Sequence, residues 1–167
     1  MPLYVVDTNF FIQAHRSTYP MDVVQSFWKK IKELADQEKF ISIDKVRDEI
    51  FRNDDELTVW VKQNLDDSFF KSTHDLEILV KYGEISKWAV SQLNQYNRKA
   101  IDVFLEYERA DAWLVAFGSI HQDVKIVTQE VSSPGSRSKI KLPDACKAFE
   151  VPYVNALEMF RELKARF

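Results

Sequence analysis

Short apolar runs alternate with stretches of helical period along the whole chain, and this alternation limits the fold more than any other feature. Leu3 to Val6, Phe40 to Ile43, Val124 to Thr128 and Val151 to Val154 are short runs rich in β-branched and aromatic residues, as buried strands are. Between them, apolar residues recur every three or four positions. Examples are Val24, Phe27, Trp28, Ile31 and Leu34, then Val46 and Ile50, then Leu57, Trp60, Val61 and Leu65. Strands that follow helices in this order pair in parallel and take helices on both faces. The expected fold class is therefore α/β, with a central, mostly parallel sheet in a three-layer α/β/α sandwich. A chain of 167 residues suits a single domain over positions 1–167.

The rest of the chain is read more coarsely. Gln13 to Tyr19 reads as a polar link and Asp66 to Thr73 as a loop. The pattern from Leu76 reads as helical but interrupted at Gly83. Glu108 to Gly118 is a helix apolar on nearly every side, hence central. Val131 to Lys141 reads as a mobile loop of Ser, Pro, Gly, Arg and Lys. Asp44 and Asp144 read as helix caps, and Asp44 and Asp48 as exposed.

Composition excludes several classes. Hydrophobic residues make up 46% of the chain, too many for disorder. The net charge of −3 provides no global basic field for nucleic acid, so any such partner needs a local cluster of cations. Cys146 is the only cysteine, which rules out an intrachain disulfide and a cysteine zinc site and fits a reducing cytoplasm. The N-terminus does not read as a signal peptide, and no apolar run is long enough for a membrane span.

Four acids stand out by position. Asp7 follows the first strand and Glu130 the strand ending at Thr128, while Glu49 and Asp111 lie near helix starts. Strand ends and helix starts meet on one edge of a doubly wound sheet, where ligands bind. Carboxylates that close together cannot all stay ionised unaided, and hard oxygen ligands suit Mg²⁺ or Mn²⁺. A divalent ion there can activate water for displacement at phosphorus. Asp7 alone fits equally well as the cap of the helix that follows it.

The blocks carrying these acids resemble those of PIN-domain ribonucleases, in order and over most of the chain. Val5-Val6-Asp7-Thr8-Asn9 resembles the opening strand of that family. Val46-Arg47-Asp48-Glu49-Ile50 is similar to its glutamate helix, and Ala110-Asp111-Ala112-Trp113-Leu114-Val115-Ala116 to its third-acid helix. Val127-Thr128-Gln129-Glu130 resembles a strand ending in Thr-x-Asp, with Glu replacing Asp. Asp7 to Asn9, Tyr19-Pro20, Phe27-Trp28, and Val127-Thr128-x-Glu130 followed by Ser133-Pro134 resemble a PIN-like subfamily known as a domain of unknown function, DUF4411.

The resemblance implies a PIN-like fold and a Mg²⁺- or Mn²⁺-dependent endoribonuclease. Asp7, Glu49, Asp111 and Glu130 would be its catalytic and metal-binding acids. It further implies the toxin of a bacterial toxin–antitoxin pair, with an antitoxin protein and a second copy of the chain as further partners. Thr8, Asn9 and Thr128 are supporting candidates, although Thr8 fits capping better. Arg137, Lys139 and Lys141 are candidates for holding single-stranded RNA, with Arg16 as another. His15, His74 and His121 lack metal-ligand spacing, and Cys146 reads as a core thiol. Two other readings compete. One is a non-catalytic PIN-like module that binds RNA or protein. The other is a phosphatase of the haloacid dehalogenase type with Asp7 as nucleophile, which the Asn at position 9 disfavours.

Overall fold

The computed structural model describes residues 1–167. Its centre is a five-stranded, all-parallel sheet in the order β3-β2-β1-β4-β5. The strands are β1 (Leu3–Val6), β2 (Phe40–Ile43), β3 (Phe70–Lys71), β4 (Val124–Val127) and β5 (Tyr153–Val154). The helices that flank them in a three-layer α/β/α arrangement are α1 (Thr8–Gln13), α2 (Gln25–Asp36), α3 (Asp44–Arg52), α4 (Glu56–Asn64), α5 (Leu76–Ser91), α6 (Arg98–Phe104), α7 (Asp111–Ile120), α8 (Leu142–Ala148) and α9 (Ala156–Glu162).

β1 is the middle strand because it is apolar throughout: Tyr4, Val5 and Val6 are fully buried. It pairs with β2 on one side, Tyr4 opposite Phe40, and with β4 on the other, Val6 opposite Val127. The chain winds outward through β2 and β3, then returns past β1 to β4 and β5. Strand order therefore reverses between β1 and β4. A crevice opens beyond the carboxyl ends of strands at such a reversal. Asp7 follows β1 there, and Thr128 to Glu130 follow β4.

α7 is buried from Ala112 to Gly118 and packs on α5, α8 and β4. Gly118 permits the close approach to the sheet. A β-carbon at that position would meet Val151 Cγ1 at 2.6 Å and Ile126 Cδ1 at 3.4 Å. α2 buries Phe27, Trp28, Ile31 and Leu34 on one face. The Tyr19 ring stacks on Phe27, 4.0 Å between centroids, and the Tyr19 carbonyl accepts from the Trp28 indole N–H at 2.7 Å. These contacts fix the path of the chain into α2.

Several expectations need correction. Gln13 to Tyr19, read as a polar link, is largely helical, since α1 continues into a π-helical turn over Ala14–Thr18. Asp66 to Thr73 contains a 3₁₀ turn, Asp67–Phe69, and the edge strand β3, in register with β2 through Ser42 and Phe70. Two residues carry no periodic signal, and burial of Phe69 and Phe70 makes this strand. α5 runs through Gly83 without interruption. A mid-helix glycine costs only about 1 kcal/mol, which the burial of Ile78, Ile85 and Ala89 on either side offsets.

Asp44 is buried rather than exposed. It accepts from the Thr73 N–H at 3.1 Å and the Thr73 hydroxyl at 2.8 Å, tying α3 to the segment after β3. Nor does Asp144 cap α8; its carboxylate accepts from the Ser132 hydroxyl and from the Ser133 N–H at 2.9 Å. Asp48 is exposed. No helix is long and apolar enough to cross a membrane.

Candidate functional site

Asp7 leaves the end of β1 in an extended conformation, its N–H donating to the Val127 carbonyl of β4 at 3.1 Å. Its carboxylate accepts from the Phe10 N–H at 2.8 Å, so it does cap α1. Capping does not neutralise it. Asp7 is 3% exposed, and burial pushes its pKa up to about 7. The Thr128 hydroxyl and the Phe10 N–H oppose that shift, while Glu130 and Glu49 add to it.

Asp111 is the first residue of α7, is partly exposed and borders a cavity. Its pKa is likewise pushed up to about 7, first by desolvation, then by Glu130, Asp7 and Glu49, against a smaller opposing effect of Lys139. Glu49 projects from α3, half-buried, and accepts from the backbone N–H of Ala110. Glu130 lies beyond β4 with its side chain 10% exposed. It accepts from Lys139 Nζ at 2.7 Å and from the Leu142 N–H at 2.9 Å.

Asp7 and Asp111 thus lie within electrostatic reach of one another and of both glutamates. No three His, Cys, Asp or Glu side chains, however, are arranged to hold a metal ion. Bare carboxylates repel, and the longer arms of Glu49 and Glu130 turn to protein donors.

Among the supporting residues, Thr8 does not cap α1. Its hydroxyl is buried and has no hydrogen-bond partner, and Thr8 lines the same cavity as Glu49. Thr128 is buried; besides opposing the Asp7 shift, its hydroxyl accepts from the Glu130 N–H at 3.1 Å. Asn9 is half-buried in the first turn of α1. Cys146 is buried, and its thiol is pushed far up by burial and then by Asp111, Asp7 and Glu130, which leaves it a poor nucleophile. His15 lies 3.6 Å from Glu56, His74 lies 3.6 Å from Asp44, and His121 Nδ1 lies 2.8 Å from the Phe117 carbonyl.

Three cavities each contain one of the acids. Asp111 borders one of about 370 Å³, Glu49 one of about 340 Å³, and Glu130 one of about 540 Å³. Of the three loop cations, only Lys139 reaches the acids. Arg137 is exposed and contributes its carbonyl to the Asn97 N–H at 2.8 Å, while Lys141 precedes α8. Arg16 is exposed on the π-helical turn. The loop is not loosely held. Asn97 binds it at Arg137, the Gln95 amide at Pro134, and Asp144 at Ser132 and Ser133.

Sequence reasoning missed Lys99 and Arg109, which border the Asp111 cavity together with Lys139. Arg109 stands two residues before Asp111 and could have been suspected. Lys99 lies a helix away in sequence and carried no signal.

No curated protein and no solved structure matches this chain. One family model does, over residues 4–167, under the description domain of unknown function (DUF4411). With nearly its whole length covered by that model, the chain belongs to the DUF4411 family.

Proposed function

We propose that this protein is a PIN-like, metal-dependent endoribonuclease that hydrolyses RNA phosphodiester bonds. The observation that carries the reading is the pair Asp7 and Asp111 at the strand-order reversal, both raised to about 7 by burial and then by the carboxyls of Glu49 and Glu130. Such a group costs stability as it stands, and positive charge relieves it.

The donor set fits a hard cation. It is all oxygen, and the buried Thr8 hydroxyl beside Glu49 is unpartnered. Asp7 and Asp111 would hold Mg²⁺ or Mn²⁺, with Glu49 and Glu130 reaching in when released from their present donors. When bound, the ion supplies charge that activates water and offsets charge developing at phosphorus. The protein's own contributions are orientation and charge. Thr128 and the Phe10 N–H support the charged form of Asp7. Lys139 favours the charged form of Asp111.

A second reading, a non-catalytic module for RNA or protein, is favoured by one fact: Glu49 and Glu130 already have protein partners, and no three acids are set for an ion. The role of a toxin in the cytoplasm, with an antitoxin and a second copy as partners, rests on the resemblance to PIN-type toxins.

Calorimetric titration with Mn²⁺ and cleavage of a labelled single-stranded RNA test the proposal together. Binding and cleavage in wild type, with cleavage lost in Asp7→Asn and Asp111→Asn, are the expected outcome. If wild type binds no Mn²⁺ and leaves RNA intact, the catalytic reading falls and the binding module takes its place.

A further inference from the structure

The cavity beside Asp111 differs from its neighbours in charge. Lys99, Arg109 and Lys139 border it, against the single acid Asp111. The Glu49 cavity has two cations, Arg52 and Arg109, against three acids. The Glu130 cavity has two acids and no cation. In a chain of net charge −3, this is the one of the three cavities whose cations outnumber its acids.

The wall of this cavity is also distinctive. Ala100, Phe104 and Ile140 are almost fully buried and form an apolar lining between α6 and the loop before α8. Lys99 and Arg109 border the same cavity and are exposed, Arg109 also pairing with Glu106 at 3.0 Å. A volume of about 370 Å³ lies within the range of small-ligand sites. An apolar wall edged by cations suits a ligand with one flat apolar part and one anionic part. A nucleotide has both, a base and a phosphate.

The walls are positioned in advance. The Asn97 N–H binds the Arg137 carbonyl at 2.8 Å, fastening the loop to the start of α6. Lys139 is held 2.7 Å from Glu130. Arg109 borders both this cavity and the one containing Glu49, so the two adjoin.

We infer that the cavity between α6 and the loop before α8 is a nucleotide-binding pocket of the proposed RNA site, in which Lys99 and Arg109 hold phosphate and the Ala100, Phe104 and Ile140 wall takes the base of an unpaired nucleotide. This rests on the nuclease reading, and it assigns RNA binding to Lys99 and Arg109 in place of Arg137 and Lys141. A base enters such a pocket only when it is unstacked, which selects single strands over duplex.

The test is binding of a fluorescent single-stranded RNA across a salt series in Ca²⁺, to suppress cleavage. Wild type is compared with the double variant Lys99→Gln/Arg109→Gln and the double variant Arg137→Gln/Lys141→Gln. The first pair should bind at least tenfold more weakly and lose about 1.4 units of salt slope, at about 0.7 per phosphate on a single strand. The second pair should bind as wild type does. In competition, adenosine 5′-monophosphate should displace the RNA at lower concentration than inorganic phosphate.

Wild-type affinity in the first pair, or loss confined to the second, overturns the pocket. Equal competition by phosphate overturns the base-binding wall. Cleavage in Mn²⁺ is scored separately. An RNA-cleaving protein whose first pair binds normally keeps the nuclease reading and loses the pocket. A protein that never cleaves but needs Lys99 and Arg109 for binding keeps the pocket and loses the nuclease.

Discussion

The carboxylate of Glu49 accepts the backbone N–H of Ala110, the residue immediately before Asp111. One acid of the group thereby anchors the helix that carries another. An N–H at a helix start has no partner within the helix, and a negative charge there also gains from the helix dipole. Glu49→Gln keeps the acceptor and should melt within about 0.5 kcal/mol of wild type, while losing Mn²⁺ affinity. Glu49→Ala should cost about 1 kcal/mol in addition, the usual value of a lost cap. Chemical denaturation beside Mn²⁺ calorimetry separates the two effects. Equal Mn²⁺ affinity in Glu49→Gln and wild type would exclude Glu49 from the metal site.

Acid should stabilise the metal-free protein. Asp7 and Asp111 have folded-state pKa values raised to about 7 from an ordinary 3.8. Between those limits the folded chain holds protons that the unfolded chain has released. The contribution of these two groups to stability is therefore full below about pH 4, falls as pH rises through 7, and is flat above. Each pKa unit corresponds to about 1.4 kcal/mol, and the two groups share one another's repulsion, so the total is a few kcal/mol rather than the sum. Melting scans should show a higher midpoint at pH 5 than at pH 8, with the difference reduced in Asp7→Asn, whose amide still caps α1. A higher midpoint at pH 8 would mean the carboxyls are already compensated.

Asp44 should prove structural. Removing its carboxylate in Asp44→Ala leaves the buried Thr73 N–H and hydroxyl without their acceptor. The expected loss is about 3 kcal/mol, as for buried hydrogen bonds to a charged group. Mn²⁺ affinity of the folded variant should match wild type. A variant as stable as wild type would show that water replaces the carboxylate.

Gly118→Ala should destabilise despite its better helix propensity. The new methyl would lie 2.6 Å from Val151 Cγ1, a short side chain that is itself buried and cannot swing clear. Overpacking of this kind costs about 1–3 kcal/mol. The double variant Gly118→Ala/Val151→Ala should recover part of the loss. A stabilised single variant would show that α7 can move off the sheet.

Layer order and strand direction were legible because alternating periods leave few alternatives. Leu3 to Val6 is too apolar for an edge, and α7 too apolar for a surface. The positions of Asp7 and Glu130 after strands and of Asp111 at a helix start follow from the same pattern, whereas Glu49, read as near a helix start, is the sixth residue of the nine in α3, because the helix begins at Asp44. Tertiary structure alone decided which polar groups meet. The strand β3 exists because Phe69 and Phe70 are buried beside β2, a long-range effect absent from local propensity. The loop after β4 reads as mobile from its Gly, Ser and Pro content, yet Gln95 and Asn97, both distant in sequence, and Asp144 just beyond it hold it. Local sequence sets which backbone conformations are cheap. Which carboxylate finds a donor and which is left facing another carboxylate depends on approaches of a few ångströms between segments far apart in the chain, and only the folded packing sets those.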